Sequence, residues 1–156
     1  MKAQLIAELR MIEQFFNTST RCLVEADSGF RPAEGMLSVA EQVAHVARTV
    51  DWFIEAIHSP AGFDMDFAAH WEETKNISSL EAARKWFARS IAEGIKTIES
   101  RSEEELRSPL PLGPVMGGAP RLAVVSGIAD HTSHHRGALT VYSRLLGKTP
   151  DMPYLG

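Results

Sequence analysis

Apolar residues recur at alternating spacings of three and four along four long stretches of this chain. That is the helical period, and no stretch shows the strict alternation that a half-buried strand needs. The first stripe, Leu5, Leu9, Ile12, Phe16, Ser19, Leu23 and Ala26, predicts a helix over residues 3–26, stopped by Asp27-Ser28-Gly29. The second carries Val39, Val43, Val46, Val50, Phe53 and Ile57. It opens on a capping box, Ser38-Val39-Ala40-Glu41, and ends at His58 before Pro60. A second capping box, Ser78-Ser79-Leu80-Glu81, starts the third helix, which runs to Arg101 on Leu80, Ala83, Phe87, Ile91, Ile95 and Ile98. The fourth opens with Pro120 in its first turn and ends at Leu146, before Gly147 and Pro150. Four long amphipathic helices in 156 residues predict an all-α four-helix bundle, one domain over residues 1–156.

The connections carry their own signals. Residues 59–78 have no period, yet a structureless loop of that length is uncommon in a compact domain. A short helix over residues 66–73, folded over the bundle as a partial lid, is the expected solution. Ser102-Glu103-Glu104-Glu105-Leu106 reads as a short capped turn, and the Pro/Gly-rich residues 108–119 as a loop or short hairpin. Both long connections can reach back over the bundle. Phe63, Phe67, Trp71, Leu110, Leu112 and Met116 on them suit the wall of a small-molecule cleft.

Composition excludes several classes. A net charge of −4 without a long basic run argues against nucleic acid or an anionic membrane as partner. No apolar run reaches the roughly 18 residues of a spanning helix. The first residues hold no apolar signal segment, so a cytoplasmic protein is expected. The single cysteine, Cys22, excludes an intramolecular disulfide and a Cys-rich metal site, and reads as a structural thiol.

Histidine placement is the chemical signal. His131 and His135 lie four apart in the fourth helix, about 40° from each other and one turn along its axis. Two imidazoles at this spacing can share one metal ion. Both fall inside the apolar face with Val124, Ile128, Leu139 and Tyr142, where unpartnered imidazoles would be costly. The candidate third ligand is His45. It lies roughly 120° from the apolar stripe of the second helix, on a mixed face with Gln42, Thr49, Trp52 and Ala56. Three neutral imidazoles and one open position form the pattern of a catalytic rather than a structural zinc site. Two alternatives stand beside it: His131 and His135 as ordinary core histidines, and His134 in competition through its i, i+3 relation to His131. His58 and His70 read as solvated loop histidines. Gln42, Thr49, Trp52 and Tyr142 are the candidate substrate-binding residues.

Other chemistries fit poorly. A di-iron bundle needs Glu-x-x-His pairs, whereas Glu41 and His45 are four apart. There is no His-Glu-x-x-His, phosphate-binding loop or Gly-x-Ser-x-Gly. Asp130, His131 and Ser133 cannot form a triad, because near neighbours on one helix point in different directions.

Two segments resemble the DinB/YfiT-like family of metal-binding four-helix bundles. Met36-Leu37-Ser38-Val39-Ala40-Glu41-Gln42-Val43-Ala44-His45-Val46-Ala47 is similar to that family's second-helix segment with its single ligand histidine. His131-Thr132-Ser133-His134-His135-Arg136-Gly137, with Leu145-Leu146-Gly147-Lys148-Thr149-Pro150 after it, is similar to the last-helix pair and its Gly-x-x-Pro ending. The resemblance spans nearly the whole chain. It implies that His45, His131 and His135 are the metal ligands, with zinc or nickel as the ion. It also implies a homodimer that joins a low-molecular-weight thiol to a small-molecule electrophile. The alternative is a non-catalytic metal- or ligand-binding stress-response protein.

Overall fold

The computed structural model describes residues 1–154. Four long helices form the frame: α1 (Lys2–Thr20), α2 (Val39–His58), α4 (Leu80–Ser100) and α6 (Val124–Leu145). Two short ones, α3 (Phe67–Lys75) and α5 (Glu103–Arg107), lie in the connections. The helices pack in the cyclic order α1, α4, α2, α6, so the consecutive helices α1 and α2 sit on a diagonal. The apolar stripes meet along the bundle axis. Leu9 and Phe16 of α1, Val43 and Val50 of α2, Phe87 and Ile98 of α4, and Ile128 and Leu139 of α6 are all buried. The Phe16 and Phe87 rings cross 4.8 Å apart.

Helix ends differ from the sequence pattern where their caps come from distant residues. α1 stops at Thr20 instead of Ala26. There the Arg84 guanidinium of α4 donates to the Thr20 carbonyl and hydroxyl at 2.7 and 3.1 Å, which partners the free end of the helix. Leu23 keeps its place in the core from a turn, and a 3-10 turn over Glu25–Asp27 follows. α4 begins one residue later than its capping box predicts. Ser79, not Ser78, accepts the Ala82 N–H. The Leu80 N–H goes to the Ser28 hydroxyl at 3.0 Å and the Glu81 N–H to the Glu25 carboxylate at 2.7 Å. The donors a local box would satisfy are therefore held by the connection after α1.

α2 is built as its sequence predicts. Ser38 Oγ accepts the Glu41 N–H, Glu41 accepts the Ser38 N–H at 2.7 Å, and the helix ends at His58. α3 occupies residues 67–75 rather than 66–73, with Asp66 as its N-cap accepting the Ala69 N–H. α6 is preceded by a 3-10 turn, Arg121–Ala123, which moves its start from Pro120 to Val124. Arg121 reaches back to the last turn of α2 and donates to the carbonyls of Ala56 and Ile57 at 3.1 and 2.9 Å. At its far end Gly147 takes φ +72°, and the Lys148 N–H returns to the Ser143 carbonyl at 2.9 Å.

Residues 108–119 form a hairpin-like loop, held by the Leu110 N–H on the Ala119 carbonyl at 2.8 Å. The loop does not reach the histidine end of the cleft. Leu110 is buried in the core, Leu112 is fully out in solvent, and Pro111 packs against the Gly62 turn. That contact is local: both turns follow a helix end joined by Arg121. Among the described residues no helix is long and apolar enough to cross a membrane.

Candidate metal centre

α2 and α6 pack side by side, and that contact brings His45 to His131 and His135. One ring nitrogen from each of the three lies within 4.8 Å of the others. His131 Nε2 and His45 Nε2 are 3.2 Å apart. The ring centroids are 4.5 to 5.0 Å apart with tilted or edge-on planes. His134 is exposed and outside the cluster, so the competition posed by its spacing resolves against it.

All three rings are held neutral. Burial, with the neighbouring histidines behind it, lowers the pKa of His131 to about 4 and of His135 to about 3. Burial also lowers that of His45, with His134 contributing. A neutral imidazole is the form that ligates a metal, so the cluster stays in its binding form well below neutral pH.

The direction of His135 is fixed by a hydrogen-bond chain with one polarity. The Leu37 carbonyl can only accept, so the Tyr142 hydroxyl donates to it at 3.0 Å. The Tyr142 oxygen then accepts from Gln42 Nε2 at 3.2 Å. That leaves Gln42 Oε1 as the acceptor for His135 Nδ1 at 2.6 Å. His135 therefore carries its proton on Nδ1 and presents the Nε2 lone pair. A ring orienter of this kind is the usual companion of a metal-bound histidine. Gln42 and Tyr142 are both buried and stand behind His135, away from the cavity wall, so their expected contact with substrate is replaced by this supporting one.

The other two expected substrate residues do face a cavity. It measures about 290 Å³ and opens beside His45 and His131. Thr49 and Trp52 of α2 line it, with Phe67, His70 and Trp71 of α3 across from them. The α3 segment thus covers the cleft as its length suggested, while Phe63 stands behind Trp52 at 4.5 Å between ring centroids. Trp52 Nε1 donates to the Asp64 carbonyl at 2.6 Å, and the Thr49 hydroxyl to the His45 carbonyl at 2.9 Å.

Arg48 escaped the sequence reading, and His70 and His58 make contacts that it did not give them. Arg48 lines the cavity, buried, between Glu55 and Glu73 at 3.1 Å each. Its position three residues after His45 on one helix face was the available signal. His70 is no solvated loop histidine: its ring is largely covered, and Nε2 is 3.2 Å from the Asp64 carboxylate. The Asp66 N–H, then His70 and Arg48, hold that carboxyl below its ordinary value. His58 is exposed but engaged. Arg101 donates to its Nδ1 at 2.7 Å, so its Nε2–H donates to the Thr97 hydroxyl at 3.0 Å.

The donor set fits a divalent ion. Three imidazole nitrogens converge, their lone pairs repel without a cation or proton between them, and one is already aimed by its neighbour. A helical bundle with such a cluster across two adjoining helices defines a metal-binding four-helix-bundle class. The chain belongs to the DinB family, whose model matches residues 17–156. No curated protein sequence matches it. Among solved structures, a mycothiol-dependent maleylpyruvate isomerase is similar at 16% identity and a TM-score of 0.72, and a point mutant of it at 0.75. These matches cover 89% of this chain and 60% of the isomerase, so the chain spans less than two thirds of that protein. A DinB-like protein from Bacillus subtilis, YjoA, is similar at 21% identity and a TM-score of 0.67, with 94% of each chain covered. At these identities the likeness establishes the fold.

Proposed function

We propose that this chain is a metal-dependent transferase that sets a low-molecular-weight thiol against a small electrophile, with His45, His131 and His135 as ligands of zinc or nickel. The observation that carries the reading is the convergence of three neutral imidazoles, two of which, His45 and His131, border an aromatic cavity. A divalent ion held by these three neutral ligands would keep its full charge, which would favour the thiolate form of a thiol near neutral pH. The chain itself supplies the rest. Gln42 aims His135, and Trp52, Phe67 and Trp71 supply an aromatic wall beside His45 and His131. In the transfer a sulfur–carbon bond forms and the bond from carbon to the leaving group breaks; the proton released when the thiol became thiolate is what neutralises the departing group. The mycothiol dependence named for the similar isomerase supports a thiol as the second reactant. A reducing, cytoplasmic setting and a homodimer belong to the proposal.

Metal analysis of untagged protein, joined to a panel of thiols and electrophiles, tests it. One ion per chain, lost in His131→Ala, and thiol consumption only by the loaded parent are expected. Protein without stoichiometric ion sinks the reading. Bound ion with no thiol ever consumed leaves a non-catalytic metal- or ligand-binding protein. Sedimentation equilibrium checks the dimer.

A further inference from the structure

The wall of the cavity beside the histidines has an unusual distribution of polar groups. Trp52 spends its only side-chain donor on the Asp64 carbonyl. Thr49 spends its hydroxyl proton on the His45 carbonyl. Arg48, the cation of the wall, carries Glu55 on one side through two contacts of 3.1 and 3.3 Å. On the other side Glu73 lies 3.1 Å from its Nε, close enough for an ion pair though not aligned as a hydrogen bond. Asp64 bonds His70 and the Asp66 N–H. Arg48 is the guanidinium of the wall, and behind the lining stand three carboxylates, Glu55, Glu73 and Asp64, each already engaged by the protein.

What remains open to a ligand is aromatic surface. The Trp52 and Phe67 centroids are 5.7 Å apart at 63°, and Phe53 meets Trp52 at 5.3 Å. Phe67 and Trp71 are 53% and 46% exposed although they face the cavity, so large apolar area there has no protein partner. Apolar cavities of about 150 Å³ take up benzene, and this one at about 290 Å³ has room for a ring with substituents or a fused pair.

We infer that this cavity selects an aromatic ligand without an anionic group, ring against Trp52, Phe67 and Trp71, and that the pairing of Arg48 with Glu55 and Glu73 is what disfavours anionic analogues. A carboxylate entering the wall would find its only cation already balanced by two carboxylates, with Nη2 alone left to donate, and would regain little of its lost hydration. A cation would meet ring faces and a surplus of carboxylates, so positive charge is not selected against. The polar, reactive end of the ligand would lie at His45 and His131. The inference rests on the transferase reading for that end alone; the wall is tested without metal.

Chelator-treated protein is titrated calorimetrically with three probes that share one ring system: naphthalenemethanol, naphthoate and naphthylmethylammonium. The uncharged alcohol is expected to bind at least tenfold more tightly than naphthoate, and the ammonium probe is expected to bind more tightly than naphthoate as well. Trp71→Ala should weaken it by about tenfold, the scale of one lost aromatic partner. Phe67→Leu keeps apolar bulk and removes only a ring, and should act in the same direction if Trp71→Ala fails to fold. Glu55→Gln with Glu73→Gln releases Arg48 and should raise naphthoate affinity while leaving the alcohol unchanged. Equal or tighter binding of naphthoate by the parent overturns the inference, as does an alcohol affinity indifferent to both ring substitutions. Metal content is measured on the same preparations before the chelator is added. Metal bound without ring selectivity overturns this inference and spares the transferase reading; ring selectivity without metal does the reverse.

Discussion

At the scale of single residues, the site depends on where one lone pair points. His135 is aimed by Gln42, and Gln42 is aimed by Tyr142, whose hydroxyl is anchored on a carbonyl that can only accept. Tyr142→Phe removes the middle of this chain with little change in volume. Its expected effect is a loss of metal affinity of about 10- to 100-fold, the usual cost of removing a ligand's orienter. The helices should stay folded, since the aromatic ring remains in place. Competition against a chromophoric chelator gives the affinity, and an unchanged value would show that His135 needs no support. The ligands themselves make a sharper contrast. His45→Ala leaves two imidazoles on one helix and should lower affinity by orders of magnitude, whereas His134→Ala, on the exposed flank, should change it little. If the His134 variant loses metal and the His45 variant keeps it, the ligand set is wrong. The three histidines were legible because spacing and face are local properties. The role of Gln42 was not: it depends on Tyr142, 100 residues away, and no helix wheel relates the two.

At the scale of elements, the site exists because α2 and α6 approach closely. Gly127 marks that approach. A Cβ placed there would lie 2.5 Å from Cε1 of Phe53, so only glycine lets α6 seat against α2 at this level. Gly127→Ala gains up to ~1 kcal/mol of helix propensity. It forces Phe53 or the helix to move, at a cost of roughly 1–3 kcal/mol. Net destabilisation is expected, read as a lower urea midpoint with an unchanged slope. Greater stability would mean that the helices part without cost. The sequence carried the long helices well because their stripes are repeated four to six times. Their ends were harder. Leu23 continues the α1 stripe while sitting in a turn, and α4 takes two of its first hydrogen bonds from Glu25 and Ser28 instead of from its own box. The loop at 108–119 was expected over the cleft because length gives reach but not direction; Pro111 against Gly62 sets the direction.

At the scale of the whole molecule, the buried imidazoles couple metal, protons and stability. An unfolded histidine takes its proton near pH 6.5, whereas folded His131 waits until about 4 and folded His135 until about 3. Between those values the unfolded chain holds more protons than the folded one, so the metal-free protein loses stability as pH falls through this window. Above about 6.5 the rings are neutral in both states and contribute no slope. A bound ion acts in the opposite direction, because it favours the folded state by about 2.7 kcal/mol at a free concentration 100 times its dissociation constant. Thermal unfolding of chelator-treated protein from pH 7 to 4.5 should therefore show a falling midpoint. His131→Ala should flatten that fall, since it removes one ring whose protonation differs between the states. Added zinc or nickel should raise the midpoint of the parent at pH 7 and leave His131→Ala nearly unmoved. Because the folded rings stay neutral far below 6.5, the loaded parent should still hold its ion at pH 5.5, where free imidazole is mostly protonated. A midpoint in chelator indifferent to pH, or equally pH-dependent without His131, would mean that these rings are not buried as described.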